Sequence, residues 1–87
     1  MTTSSTMARD FEDFLARLET HPQAIQFEDL RKLCEHYFGR PRRKGSHLVF
    51  ATGLPDPPIV NIQPRGSMAK EYQCKQALKA VRRKQGQ

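Results

Sequence analysis

No run of apolar residues approaches the roughly 18 that a membrane-spanning helix needs, which argues against a transmembrane segment. Cysteine is scarce. Cys34 and Cys74 cannot build a dense disulfide framework, so a reducing, cytoplasmic setting is expected. Both fall at apolar helical positions and read as buried thiols acting as small hydrophobes. Acidic residues nearly vanish from the second half, where residues 39–87 hold only Asp56 and Glu71. A metal-dependent nuclease would want several clustered acids there. There is no Walker-type loop, no HExxH and no paired-carboxylate signature. Cys34, His36 and Cys74 offer no converging ligand set. No metal and no other cofactor is therefore expected. The opening Met1-Thr2-Thr3-Ser4-Ser5-Thr6 has neither a basic nor an apolar region of the kind a secretory signal needs. Residues 1–7 read as a disordered tail, or as extra residues upstream of a second possible start at Met7. Internal repeats are absent too.

What is present is a lopsided charge. The chain has 87 residues and a net charge of +6, enough for one domain (residues 8–87) with a modest core. Residues 1–38 carry four Lys/Arg against seven Asp/Glu, a net of −3. Residues 39–87 carry eleven Lys/Arg against two acids, a net of +9. A cationic surface on so small a body points first to nucleic acid and second to an acidic protein, with a solvated basic face as the bland alternative.

Hydrophobic periodicity lays out the elements. Phe11, Phe14, Leu15 and Leu18 repeat at helical spacing, predicting an amphipathic helix from about Ala8 to Thr20 with acids in its first turn. His21-Pro22 ends it. Phe27, Leu30, Leu33, Cys34 and Tyr37 form the stripe of a second helix that lacks an obvious cap and stops at Gly39. From Arg40 the period becomes two. Ser46–Ala51 and Ile59–Gln63 read as strands joined by the turn-rich Thr52-Gly53-Leu54-Pro55-Asp56-Pro57. If Leu48, Phe50, Val60 and Ile62 share the core face, pairing Phe50 with Val60 sets His47 opposite Gln63 on the outer face. Pro64-Arg65-Gly66 breaks the strand. Ser67 is the expected cap of a last helix from about Met68 to Lys84, with Cys74, Ala77, Leu78 and Val81 inward. Lys75, Lys79 and Arg82 run beside them, either as a solvated face or as a phosphate rail. The resulting class is α+β, a short antiparallel sheet with helices on one face and the other face open.

The chemistry concentrates at Lys44-Gly45-Ser46-His47. Arg40-Pro41-Arg42-Arg43-Lys44 brings four positive charges within five residues, and His47 follows at the start of an apolar strand. An imidazole takes or gives a proton near neutral pH. RNA brings its own nucleophile, the 2′-hydroxyl, and cations stabilise the charge that builds on the phosphoryl oxygens. His47 is thus the candidate general acid/base of a metal-independent RNA cleavage. Arg42, Arg43, Lys44, Lys70, Lys75 and Lys79 are candidate phosphate ligands. Gly45 would allow close backbone approach, and Ser46 is a hydrogen-bond donor to phosphate, not a covalent nucleophile. His21 and His36 fall outside this cluster.

Gly45-Ser46-His47-Leu48-Val49-Phe50, followed by Ile59-Val60-Asn61-Ile62 and by Lys70-Glu71-Tyr72 at the last helix, resembles the HicA family of bacterial toxins. The likeness runs from about Phe27 to Val81. It implies a fold similar to a double-stranded-RNA-binding domain, α-β-β-β-α, and the activity of an mRNA interferase silenced by a HicB-like antitoxin protein. It also implies that His47 is catalytic and that Gly45 is the turn glycine beside it. The N-terminal helix is extra to the shortest family members. The first strand would have to be Arg40–Lys44, where Pro41 makes it edge-like. The expectation is therefore an endoribonuclease toxin of a type II toxin–antitoxin pair, acting on mRNA and causing growth arrest. A non-catalytic RNA-binding module of the same fold is the alternative, and a domain that docks an acidic protein is a third reading.

Overall fold

The computed structural model describes residues 3–86, with side chains from residue 11 onward. Helix α1 (Thr3–Thr20) buries Phe14, Leu15 and Leu18 and lays Phe11 against the core margin. It begins upstream of the expected Ala8, because neither proline nor glycine interrupts residues 3–7. Asp10, Glu12 and Asp13 therefore lie inside the helix, and the expected pairing of first-turn acids with the helix dipole does not hold. Met1 and Thr2 of the expected tail lie outside the described residues. The helix stops where expected: the His21 N–H donates to the Arg17 carbonyl at 2.7 Å, and Pro22 opens a short 3-10 turn, Pro22–Ala24.

Helix α2 (Phe27–Phe38) carries the expected stripe. Leu30, Leu33 and Cys34 are buried, and Phe27 and Tyr37 pack at the margin. It has no side-chain cap and ends at Gly39, whose N–H donates to the Glu35 carbonyl at 3.0 Å.

Strands β1 (Arg42–Lys44), β2 (His47–Ala51) and β3 (Ile59–Ile62) form an antiparallel sheet in the order β1-β2-β3. Strand β1 starts after Pro41, not at Arg40, since proline cannot donate to the ladder. Phe50 pairs with Val60, the register expected from the core face. Leu48, Phe50, Val60 and Ile62 are buried beneath the helices, whereas His47, Val49 and Asn61 are half-buried and Ala51 and Ile59 exposed. The β2–β3 loop is tied at Thr52, which is fully buried. Its hydroxyl accepts the Leu54 N–H at 3.0 Å and donates to the Pro57 carbonyl, and Lys84 Nζ donates to the Thr52 carbonyl at 2.6 Å.

The segment after β3 departs from expectation. Pro64-Arg65 does not simply break the chain but forms β4 (Pro64–Arg65), which pairs with β5 (Met68–Ala69) around a Gly66-Ser67 turn. Ser67 is not a helix cap. Its carbonyl accepts the Phe27 N–H at 3.0 Å, and the Ala69 N–H donates to the Ile25 carbonyl at 2.8 Å. Tertiary pairing to residues 25–27 thus overrides the local capping preference. Helix α3 (Glu71–Gln85) starts three residues later than expected and packs on α1, α2 and β3. Cys74, Ala77 and Val81 are buried as expected, Leu78 lies at the margin, and Gln73 and Ala80 join the buried set. No helix among the described residues is long and apolar enough to cross a membrane.

Candidate active site

Two hairpin strands place His47. The Lys44–His47 pair closes a two-residue turn of Gly45 and Ser46. Gly45 has a φ of 60°, the left-handed value that the first position of such a turn requires and that side chains with a Cβ resist. Because β2 alternates, His47 faces away from Leu48 and Phe50, onto the open face.

The imidazole is not loose there. His47 Nδ1 lies 3.0 Å from Asn61 Oδ1. An amide oxygen can only accept, so Nδ1 carries a hydrogen, and a neutral ring then has its lone pair on Nε2. Asn61 therefore fixes the ring orientation of His47 and, for the neutral ring, its tautomer. Gln63, the expected neighbour, serves the turn instead. Its Nε2 donates to Ser46 Oγ at 3.1 Å, and its Oε1 accepts from Lys70 Nζ at 3.0 Å. The Gln63 N–H donates to Oε1 of buried Gln73 at 2.7 Å, and Gln73 Nε2 donates to the Tyr72 hydroxyl at 3.3 Å. One polar chain thus ties Ser46 to Lys70 and the first turn of α3.

Strand alternation divides the cations. Lys44 pairs directly with His47, and Arg42 with Val49, so both share the open face. Arg40, Arg42 and Lys44 line one hollow with Ile59 and Asn61. Arg43 pairs with the buried Leu48 and turns the other way. It lines a hollow with Glu28, Arg31 and Glu35 of α2, where Arg31 already bridges Glu28 at 2.6 Å and Glu35 at 2.7 Å. The side-chain hydrogen bond to Arg31 holds the Glu28 carboxyl below its ordinary range and pushes the Arg31 guanidinium up. Arg43 thus belongs to a mixed-charge face behind the sheet, and the structure does not bring it to His47.

The helical cations also divide. Lys75 sits 3.4 Å from Glu71, and Arg82 reaches Glu19 of α1 at 3.0 Å. Arg82 is therefore part of the α1–α3 contact and not a free rung of a rail. Lys79 is exposed one turn beyond Lys75 and lines none of the hollows around His47. His36 stacks on Phe11 at 4.5 Å, and His21 bonds to Thr20 at 2.9 Å, which accounts for both without chemistry.

Asn61 and Tyr72 entered the sequence reading only within the stretches that carry the resemblance and Gln63 only as the residue opposite His47, none with a role, and Gln73 did not enter it. Asn61 and Gln63 did carry a signal, as polar residues at period two in an otherwise apolar strand. Gln73 carried none, because its role depends on where α3 meets β3. No group of three His, Cys, Asp or Glu side chains placed to hold a metal occurs among the described residues. No family model matches this chain, nor does any curated protein or solved structure.

Proposed function

We propose that the chain is a metal-independent endoribonuclease, the toxin of a type II toxin–antitoxin pair of the HicA kind, acting on mRNA in the cytoplasm. The observation that carries this reading is His47 on the open sheet face, with Nδ1 bonded to Asn61, Nε2 free for a proton, and Lys44 directly beside it. Nε2 removes the 2′-hydroxyl proton, O2′ attacks the adjacent phosphorus in line, and the bond to O5′ breaks. The 5′-oxygen leaves protonated, with Lys44 as the ammonium on the same face. Lys44 and Arg42 offset the charge on the phosphoryl oxygens. Lys70 is tied to the turn side of the site through Gln63, which also bonds Ser46, although Ser46 itself lines the Arg43 hollow behind the sheet.

A helix, three antiparallel strands and a final helix packed on one sheet face is also the arrangement expected of a double-stranded-RNA-binding-like domain, with α1 as an addition. The same open face suits an acidic HicB-like antitoxin, which would compete with RNA for Lys44 and Arg42 and cover His47. Basic residues on that face would equally serve a non-catalytic RNA-binding module, and cleavage itself separates the two readings. Purified protein incubated with single-stranded RNA in excess EDTA should cut it and leave 2′,3′-cyclic or 3′-phosphate and 5′-hydroxyl ends. Strict dependence on added magnesium, or 3′-hydroxyl products, would show that the 2′-hydroxyl is not the nucleophile.

A further inference from the structure

Three hollows adjoin across the open side of the molecule. The first holds Arg42 and Lys44 and shares Ile59 and Asn61 with the second, which holds His47. The second shares Tyr72 with the third, which is lined by Arg65, Lys70, Glu71 and Lys75. Tyr72 is thus the wall between the His47 hollow and a second cationic hollow. It is 61% exposed, so its ring face is open to a ligand. Three cations face one carboxylate, Glu71, which is already engaged with Lys75 at 3.4 Å. The Tyr72 hydroxyl is held by Gln73, and buried Gln73 is held by the Gln63 backbone, so the ring stands on a fixed base.

We infer that single-stranded RNA crosses His47 and continues over Tyr72, with the base of a nucleotide flanking the scissile phosphate stacked on that ring and its phosphate held by Arg65 and Lys70. The inference rests on the ribonuclease reading and extends it, assigning a flanking-nucleotide subsite beyond the residues that act on the phosphate. Aromatic rings beside backbone-tracking cations are the usual means of holding single strands without reading their sequence. The subsite would therefore favour unpaired over duplex RNA and tolerate any base.

The chain has no tryptophan, so Tyr72→Trp introduces a lone indole reporter at the subsite. In a His47→Ala background, where RNA is bound but not cut, short single-stranded RNA should quench that indole at the concentrations at which it binds. An abasic ribose-phosphate strand of equal length should bind more weakly and leave the emission unchanged. Tyr72→Ala in the same background should weaken RNA binding roughly 5- to 150-fold, while Tyr72→Phe, which keeps the ring and loses only its bond to Gln73, should weaken it less. RNA that binds without moving the indole and without sensing Tyr72→Ala would overturn the subsite and leave the ribonuclease reading standing. An abasic strand that binds as tightly as RNA would overturn it as well. Failure of the His47→Ala protein to bind RNA at all would overturn both.

Discussion

His47 acquires its chemical character from one neighbour. An imidazole on an open strand would rotate and exchange tautomers, but Asn61 Oδ1 at 3.0 Å holds a hydrogen on Nδ1 and turns Nε2 away from that bond. The histidine itself was legible in the sequence, as an outward strand residue after a basic turn. Its partner was not, because the contact runs diagonally across the β2–β3 ladder and depends on side-chain reach as well as register. The two cysteines were legible in full. Burial pushes the Cys34 thiol up to about 12, with Cys74 and Glu35 adding to it, and burial also pushes Cys74 up to about 11, helped by Glu71. Their folded values lie above the ordinary 9.0, so the fold favours the protonated thiols. The stability they contribute is fully present below about pH 9 and is lost as pH rises towards 11 and 12. Chemical denaturation followed from neutral to alkaline pH should show the midpoint falling through that window. A Cys34→Ala, Cys74→Ala double variant should flatten the fall, and an unchanged slope would refute the thiol origin.

At the scale of elements, the same dipeptide does the same work twice. Gly45-Ser46 and Gly66-Ser67 each close a two-residue hairpin, with glycine φ values of 60° and 65°. The first was readable in part: Gly45 was expected as the turn residue beside the alternating β2, although Ser46 was read as strand. The second was not: β4 and β5 have two residues each and gain their place from pairing with residues 25–27. A Cβ at Gly45 would meet nothing within 4 Å, so the cost of replacing it is conformational and not steric. Gly45→Ala should therefore lower the thermal midpoint by roughly 4–16 °C, and D-alanine placed at position 45 by chemical synthesis by less, because its mirror-image Cβ accepts a positive φ. Equal loss in the two variants would count against this origin. Alternation within β1 makes a second distinction that a count of basic residues misses. Lys44→Glu should weaken RNA binding strongly, whereas Arg43→Glu, on the α2 side, should leave it near wild type. Filter binding across a salt series checks this. Lys44→Ala should also reduce the slope of log K against log salt by about 0.7, with no change for Arg43→Ala. Matching losses at the two positions would mean that RNA does not distinguish the faces of the sheet.

For the whole molecule, charge and topology act together. The cations behind the net of +9 in residues 39–87 lie on or just before the hairpin, on the small β4–β5 sheet and at or within α3, though Arg43 turns behind the sheet and Arg82 pairs with Glu19. The acidic first third folds behind them, and the Arg82–Glu19 pair joins α1 to α3 across that divide. The helices bury one sheet face and leave the other open, so a small core and a broad uncovered sheet face coexist in one layer pair. The central claim is that Nε2 of His47 transfers the proton in RNA cleavage, and it is tested most directly by comparing single-turnover cleavage rates of wild type and His47→Ala on the same RNA. The account predicts a fall of roughly 10²–10⁴ in rate, with RNA affinity and the circular dichroism spectrum nearly unchanged. A His47→Ala protein that cuts at the wild-type rate would contradict it.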